Sequence, residues 1–217
     1  MDCNLHFCIM KNTNHKMNIK FQSLQLFSCI IFLISSCNFE SNKNRNQSTP
    51  AVSTVLSKEE RDKLTPDEIL QQFKAGNERF RTNNSTTRNH SEQIRKAAVG
   101  QFPKAVVLSC LDSRVPVEDV FDQGLGDVFV ARVAGNFVNE DILGSMEFAC
   151  KVAGAKLILV MGHQHCGAIK GAIDDVKLGN LTKLLTKIKP AVVMNEKFEG
   201  EKSSMNEAFV RQWLKQM

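Results

Sequence analysis

Two groups of potential metal ligands each follow directly on an apolar run that is rich in β-branched residues. The groups are Cys110-Leu-Asp112-Ser-Arg114 and His163-Gln-His-Cys166. Two thiolates and one imidazole are a sufficient ligand set for a catalytic zinc ion with one coordination position open. The residue types therefore predict a zinc site at Cys110, His163 and Cys166, where water or a carboxylate takes the fourth position.

An acidic and a basic side chain stand next to the first of these ligands. Asp112 is two residues from Cys110 and can reach the same metal ion, and Arg114 can hold the Asp112 carboxylate in a bidentate ion pair. We expect two states. With the pair formed, the metal carries water, and with the pair broken, Asp112 becomes a metal ligand and blocks the site. Such a switch predicts a loss of activity on the acidic side of the pH profile.

The composition limits the class of protein. With 217 residues, 42% of them hydrophobic, the chain is long enough for a leader and one domain with a sizeable core. The net charge of +5 and the pI of about 8.8 are mild. Because no basic stripe with interleaved aromatic residues is present, we expect no nucleic-acid partner. Four of the seven cysteines precede residue 38, so the pattern predicts no disulfide framework.

The first part of the chain has the pattern of a secretory signal. The apolar run Leu24–Ile34 follows several lysines and is too short to span a bilayer, which takes ~20 residues. It ends Ile34-Ser-Ser-Cys37, which resembles a bacterial lipobox. We therefore expect a signal peptide at residues 1–36, a lipid anchor at Cys37 and a place in the bacterial cell envelope, periplasmic or on the outer surface. Met17 as the true start and an uncleaved anchor remain open.

A polar stretch that is poor in aromatic residues follows the proposed anchor and predicts a flexible tether over residues 37–63. The catalytic domain is then expected over residues 64–217. It opens with Thr65-Pro66-Asp67-Glu68, which combines an N-cap, a proline at the first helical position and a capping box. The apolar face of this helix is expected to pack outside its own sheet, with a partner subunit as one possibility.

Three continuous apolar runs predict strands that are buried on both faces of a parallel sheet. The runs are Ala105–Ser109, Val128–Val133 and Leu157–Met161. A helical pattern over Glu140–Ala153 completes a βαβ unit with the last two strands. Further helices are expected at residues 167–176, 180–198 and 203–215, with interruptions near Pro190 and Gly200. Ligands collect at the carboxyl ends of such strands, which is where both ligand groups stand.

The combination of motifs resembles the beta-class carbonic anhydrases. The matching motifs are CLDSR at 110–114, RVAGN at 132–136 and GHQHCG at 162–167, and the resemblance covers about 64–172 well and the remainder loosely. It implies zinc on Cys110, His163 and Cys166, with Asp112 and Arg114 as the gating pair. It also implies that Gln101 hydrogen-bonds substrate, often across a dimer interface, in a homodimer or larger homo-oligomer whose N-terminal helices embrace the partner.

The resemblance implies an α/β fold, a parallel sheet flanked by helices with an N-terminal helical arm. The implied reaction is the reversible hydration of carbon dioxide to bicarbonate and a proton by zinc-bound hydroxide. The family usually continues, after a long C-terminal helix, into a last strand, whereas this sequence stops at Met217 directly after FVRQWLKQM. We therefore expect that strand to be missing, or the sequence to be a fragment.

Two alternative functions stay open at this point. A related zinc hydrolase acting on carbonyl sulfide or carbon disulfide would use the same ligands. A non-catalytic zinc lipoprotein is a second alternative, although the Asp112–Arg114 pair and Gln101 argue against it. A cysteine phosphatase would need an arginine six residues after Cys110, where Pro116 stands, and a thiol oxidoreductase would need C-x-x-C, which is missing.

Overall fold

The computed structural model describes residues 6–11, 51–193 and 198–214. Its centre is a four-stranded sheet in the order β1-β4-β2-β3. The strands are β1 (His6–Lys11), β2 (Ala105–Ser109), β3 (Val128–Arg132) and β4 (Leu157–Gly162). Strands β2, β3 and β4 are mutually parallel, and β1 pairs antiparallel with the outer edge of β4. The predicted three-stranded parallel sheet is thus confirmed, with strand ends that differ by at most one residue.

Both faces of the parallel sheet are buried, which explains why its strands are continuous apolar runs. Side chains at alternate positions point to opposite faces. On one face Val107 and Leu159 belong to a core that also contains Ile69 and Phe121. On the other face Val106, Leu108 and Val160 pack with Met146 and Ala149. The sheet is therefore the middle layer of a three-layer α/β/α arrangement.

Eight α-helices are described. They are α1 (Lys58–Lys63), α2 (Pro66–Arg81), α3 (His90–Ala97), α4 (Val117–Val120), α5 (Glu140–Glu147), α6 (Gly167–Ile173), α7 (Gly179–Val193) and α8 (Glu207–Leu214). Helices α6, α7 and α8 pack together beyond the carboxyl ends of the strands, around a core that includes Ile169, Leu185, Ile188 and Phe209. Among the described residues, no helix is both long and apolar enough to cross a bilayer.

Helix α2 begins as the sequence predicts but packs elsewhere than expected. The Thr65 hydroxyl accepts from the Glu68 backbone N–H, and the Glu68 carboxylate accepts from the Thr65 N–H. The apolar face of α2 is buried in its own chain, where Ile69 and Phe73 lie in the core on the sheet. The Phe73 ring stacks on Phe121 at a centroid distance of 4.9 Å. The suggestion that this face packs on a partner subunit is therefore wrong for these residues.

Ordered structure begins before residue 64, where the sequence places the end of the tether. Helix α1 lies inside the expected tether and opens with a capping box between Ser57 and Glu60. Its Arg61 is buried and donates to the Ala153 carbonyl, while Lys156 Nζ donates to the Leu64 carbonyl at 2.7 Å. These contacts fix α1 to the segment that leads into β4. The remainder of the expected tether before residue 51 and the proposed anchor Cys37 lie outside the described residues, as does most of the expected signal peptide.

Two helices differ in detail from expectation. The helix predicted over Glu140–Ala153 is α-helical only to Glu147 and continues as a π-helical turn, Phe148–Val152, in which the Ala153 N–H donates to the Phe148 carbonyl. Helix α7 runs through Pro190 to Val193, so the interruption expected near Pro190 is not seen in the described part of the helix.

A buried carboxylate joins α2 and the following link to α4. The Asp122 side chain is fully buried, directly after α4, and pairs with Arg79 at 2.5 Å and with Arg88 at 2.6 Å. The Thr86 hydroxyl donates to the same carboxylate. Burial alone would raise the pKa of Asp122, but hydrogen bonds from the two arginines and Thr86 outweigh it and lower the pKa from 3.8 to about 2. Asp122 therefore stabilises the fold only as an anion.

Replacing Asp122 by asparagine should lower the free energy of unfolding by about 3 kcal/mol at pH 7, because two arginines lose a buried counter-charge. A carboxyl with a depressed folded pKa contributes stability above its unfolded pKa and loses it as pH falls through the folded value. The difference between wild type and Asp122→Asn should therefore narrow from pH 7 to pH 3 in urea unfolding. Replacing the exposed neighbour Asp119 by asparagine is the control. If the difference in unfolding free energy between wild type and Asp122→Asn were the same at pH 7 and pH 3, this role of Asp122 would be contradicted.

Candidate metal centre

The topology brings the two ligand groups to one edge of the sheet. Cys110 follows the last residue of β2, and His163 follows the last residue of β4. The two strands are parallel neighbours, with Ser109 opposite Met161 in register. The carboxyl ends of β2 and β4 therefore meet, and the long connection between them is no obstacle. Cys166 occupies the N-cap position of α6, directly after the turn that carries His163, and its side chain makes no capping hydrogen bond.

The three predicted zinc ligands form one buried cluster. One ligand atom each from Cys110, His163 and Cys166 lies within 4.8 Å of the other two. All three residues are buried, with exposed fractions of 5%, 7% and 1%. No acidic side chain belongs to this cluster in the part of the chain that the structure describes.

The hydrogen bonding of His163 fits a metal ligand. The ring atom Nδ1 lies 2.9 Å from the Gln164 carbonyl oxygen, which can only accept, so Nδ1 carries the proton in this arrangement. The other ring atom, Nε2, is buried and has no hydrogen-bond partner. Metal-binding histidines typically donate one ring N–H to a carbonyl or carboxylate and leave the other nitrogen for the metal. The orphaned Nε2 and the two sulfurs thus fit a zinc ion.

The two cysteines share one negative charge. Their sulfurs lie 3.8 Å apart, and the Cys166 thiol lowers the pKa of Cys110 to about 4, helped by His163 and the Gly135 N–H against the effect of burial. The same sulfur contact, together with burial, raises the pKa of Cys166. Two adjacent thiolates repel each other, so only one ionises easily. A divalent cation would displace the second proton, because the thiolate is the form that binds metal.

A glycine turn after β3 approaches the Cys110 sulfur. The Gly135 N–H donates to Cys110 Sγ at 3.3 Å, and Gly135 has a positive φ of 80°. A Cβ atom at this position would lie 2.4 Å from Ile188 Cδ1. Only glycine therefore permits this turn to lie between Ile188 of α7 and the Cys110 sulfur. Gly135 is visible in the sequence as part of the RVAGN motif, but its role could not be predicted, because its contact partners are remote in the chain.

Asp112 and Arg114 form the expected ion pair. Arg114 Nε lies 2.9 Å from Asp112 Oδ1, and its terminal nitrogen lies 2.7 Å from Oδ2. The Arg114 backbone N–H also donates to Oδ1 at 2.9 Å. These bonds, the side-chain bonds first, hold the pKa of Asp112 well below its usual range. The structure thus shows the state in which Arg114 holds Asp112, and Asp112 is not among the clustered ligand atoms.

Asp112 nevertheless lies beside the cluster. Its Oδ2 is 3.7 Å from His163 Nδ1, and its side chain is largely buried while that of Arg114 is largely exposed. Burial acts to lower the pKa of His163, but the neighbouring Cys110 and, to a smaller extent, the Asp112 charge raise it. The carboxylate thus lies next to the cluster, on the Nδ1 side of the His163 ring.

Gln101 is not brought to the cluster within the described chain. It is exposed and lines an open groove of about 530 Å³ with residues 97–100, Leu125, Gly126 and Val128. None of these residues belongs to the metal cluster. The role in substrate binding that the resemblance implies for Gln101 stays a prediction.

The sequence pattern predicts no role for Arg132, although this residue is part of the RVAGN motif. Arg132 is the last residue of β3, and its guanidinium donates to backbone carbonyls of the loop that carries Cys110 and Asp112. The one clue in the sequence is that this arginine stands near the end of a predicted strand. Which carbonyls it would meet depends on the fold of the loop, and the sequence pattern does not specify that.

Comparison with known proteins agrees with the geometry. A family model described as carbonic anhydrase matches residues 105–217. Carbonic anhydrase 2 of Mycobacterium tuberculosis is 39% identical over 131 residues, which are 58% of this chain and 63% of that protein. The carbonic anhydrase of Mycolicibacterium smegmatis is 41% identical over 102 residues, 45% of this chain and 50% of that protein. The chain thus spans less than two thirds of the length of these curated relatives.

Solved structures share the fold. The beta-carbonic anhydrase CafA of Aspergillus fumigatus superimposes with a TM-score of 0.51 at 24% identity, over 68% of this chain and 69% of that one. One of two tetrameric beta-carbonic anhydrases of Sordaria macrospora gives a TM-score of 0.51 at 24% identity, over 68% and 74% of the two chains. Because the family model covers more than half of the chain and includes every member of the buried cluster, the chain belongs to the beta-class carbonic anhydrase family.

Proposed function

We propose that this protein catalyses the reversible hydration of carbon dioxide to bicarbonate and a proton, with a zinc ion held by Cys110, His163 and Cys166. The observation that carries the proposal is the buried cluster of two sulfurs and one orphaned imidazole nitrogen. It offers three protein ligands and leaves a fourth position open, which is the ligand count of a catalytic zinc site. The names of the curated relatives point to the same reaction.

Some residues of the chain would bind the metal, and others, Asp112 and Arg114, would control what occupies its fourth position. Zinc bound here would bring the pKa of a water molecule to about 7 and so supply hydroxide near neutral pH. Asp112 offers a carboxylate oxygen beside the cluster that can accept a hydrogen bond from that water. Arg114 holds the two carboxylate oxygens with one side-chain hydrogen bond each, which would keep the carboxylate away from the metal. Breaking the ion pair would free the Asp112 carboxylate to take the fourth position in place of water.

Stopped-flow carbon dioxide hydration, run on protein whose zinc content is measured in the same sample, tests the proposal. We expect about one zinc per chain and a kcat/KM of at least ~10⁴ M⁻¹s⁻¹, the lower end for ordinary enzymes. Removing zinc with a chelator should abolish the activity, and adding zinc should restore it. Full zinc occupancy without hydration would overturn the proposal in favour of a non-catalytic zinc protein. A preference for carbonyl sulfide or carbon disulfide would favour the related hydrolase.

We also propose that the protein is a homodimer or a larger homo-oligomer. Large apolar side chains are exposed in segments of the chain before and after β3, which is an edge strand of the sheet. They are Val99, Leu125, Leu143, Phe148 and Val152. Exposed apolar side chains that lie together, as Val99 and Leu125 do along one groove, are typical of an interaction surface. Light scattering coupled to size exclusion would measure the mass, and a monomer at micromolar concentration would count against the proposal.

The proposed location is the cell envelope, with a lipid anchor at Cys37 after removal of residues 1–36. Its support is the apolar run followed by Ser-Ser-Cys in the sequence. Strand β1 lies within the segment that this processing would remove, so the mature form would lack the strand that pairs with the outer edge of β4. The test is to express the protein in a bacterial host with labelled fatty acid and to measure its intact mass. Label on a chain that begins at Cys37 supports the proposal, and an unlabelled full-length chain contradicts it.

A further inference from the structure

One arginine binds three backbone carbonyls of the loop that carries the reactive groups. Arg132 Nε donates to the Cys110 carbonyl at 3.0 Å. One terminal nitrogen donates to the carbonyls of Asp112 and Val115, the latter at 3.0 Å. A guanidinium presents its donors in a rigid planar fork, so a single side chain can fix several acceptors in one geometry.

Apart from the contacts of the Cys110 sulfur with Cys166 and the Gly135 N–H, and the burial of Val115, the loop from Cys110 to Val115 is held mainly by short-range bonds. The Asp112 carbonyl also accepts from the Val115 N–H at 3.3 Å, and the Arg114 N–H donates to the Asp112 carboxylate. A side-chain contact from another element to the backbone of this loop is therefore important for the position of the whole turn. Arg132 supplies it from β3, which is the strand paired directly with β2.

We propose that Arg132 is a positioning residue that fixes the Cys110–Val115 loop, and through it both the Cys110 sulfur and the Asp112–Arg114 pair. The inference rests on the proposed function for its catalytic consequence, but its effect on the loop and on metal retention does not. Arg132 touches neither a ligand atom nor the Asp112 carboxylate. It acts through the backbone that presents them.

Loss of Arg132 should affect both the metal ligand Cys110 and the Asp112–Arg114 ion pair, because the loop carries both. A loosened Cys110 would release zinc faster, and a loosened Asp112 would spend less time paired with Arg114. Loss of a partner one step removed from a metal typically costs 10–100-fold in metal affinity or activity. We expect Arg132→Met to lower kcat by about 10- to 100-fold and to speed zinc release by a similar factor, with KM changed by less than about threefold.

The experiment compares Arg132→Met, Arg132→Lys and a control, Arg95→Met, in the full zinc-loaded protein. Arg95 is an exposed arginine of α3 whose partner is Glu92 on the same helix. Zinc release to an excess of chelator and amide hydrogen exchange are measured alongside steady-state hydration. Lysine retains a charge but lacks the planar fork, so Arg132→Lys should recover only part of the loss. Arg132 is an exposed residue, so free guanidinium ion can reach the carbonyls left unpaired in Arg132→Met and should partly restore zinc retention.

The readouts separate a positioning role from a merely structural one. Faster exchange confined to residues 111–115, with the unfolding free energy changed no more than in Arg95→Met, supports the proposal. Wild-type zinc release and wild-type exchange in this loop would overturn it, as would a general loss of stability that leaves kcat per folded molecule unchanged. If wild type itself hydrates no carbon dioxide, the proposed function fails, while zinc release and exchange still decide the role of Arg132.

Discussion

Replacing Cys110 by serine should remove the zinc and with it the hydration activity. An alcohol stays protonated at neutral pH and is a harder, weaker ligand than a thiolate. Cys110 is also the sulfur whose pKa the surrounding hydrogen bonds lower to about 4, so it supplies the anion around which the cluster is built. We expect zinc affinity to fall by more than about 100-fold, beyond the usual cost of losing an outer partner of a metal site.

The matched control for this variant is Cys150→Ser. Cys150 is half-buried in the π-helical turn, against the face of the sheet that carries Val106 and Leu108, and it is outside the ligand cluster. Zinc content by mass spectrometry under native conditions and stopped-flow rates should therefore be close to wild type in Cys150→Ser. In Cys110→Ser, Cys166 loses the neighbour that raises its pKa, so its thiol should react faster with a thiol reagent. Retention of stoichiometric zinc by Cys110→Ser would contradict the assignment of the site.

The metal cluster and the parallel strands were predictable from the sequence, because each depends on a local pattern and one general rule. Continuous apolar runs indicate strands with both faces buried, and residues that follow parallel strands meet at one sheet edge. Cys110 and His163 satisfy both conditions. The Asp112–Arg114 pair was predictable for a similar reason, since two residues of separation suffice to bring the side chains together.

The contacts that fix this site to the rest of the molecule could not be predicted in the same way. Arg132 reaches carbonyls about twenty residues away, and Asp122 gathers arginines from about forty residues away. Backbone acceptors leave no trace in a sequence pattern, so such bonds depend on the folded geometry. Helix α1 was missed because its only buried side chain is Arg61, whose partner is a backbone carbonyl beyond α5.

Helix α2 shows a different limit. Its apolar face, including Ile69 and Phe73, was visible as a periodic pattern, and a packing partner was therefore expected. Periodicity identifies the buried face of a helix but not the surface that buries it. The structure supplies that surface from the same chain, through Phe121 and the sheet. The homo-oligomer proposed above must therefore use other residues for its apolar contacts.

Substituting alanine for Gly135 should damage both the fold and the metal site. The residue has a φ of 80°, which costs an alanine about 1–2 kcal/mol. A Cβ atom here would also lie 2.4 Å from Ile188 Cδ1 and 3.3 Å from Ala168 Cβ. Ile188 is buried and cannot move aside freely. Overpacking of this kind typically adds 1–3 kcal/mol, so we expect urea unfolding to report a total loss of about 3 kcal/mol.

The variant Gly126→Ala separates the cost of the positive φ from the cost of the steric clash. Gly126 has nearly the same φ, 84°, but a Cβ atom there would meet nothing within 4 Å. This variant should therefore lose only the conformational part, about 1–2 kcal/mol, and keep its zinc. Gly135→Ala should in addition weaken zinc binding, by about 10-fold or more, because its N–H can no longer lie 3.3 Å from Cys110 Sγ.

A second substitution tests whether the clash with α7 is the cause. Ile188→Val removes the Cδ1 atom that the new methyl group would strike, at a cost of about 1 kcal/mol by itself. If the clash is responsible, the double variant Gly135→Ala/Ile188→Val should be more stable than the sum of the two single changes predicts, by about 1 kcal/mol or more. It should also regain zinc affinity, because the turn can again approach the sulfur. Strict additivity of the two changes would instead assign the whole loss to the backbone conformation of Gly135.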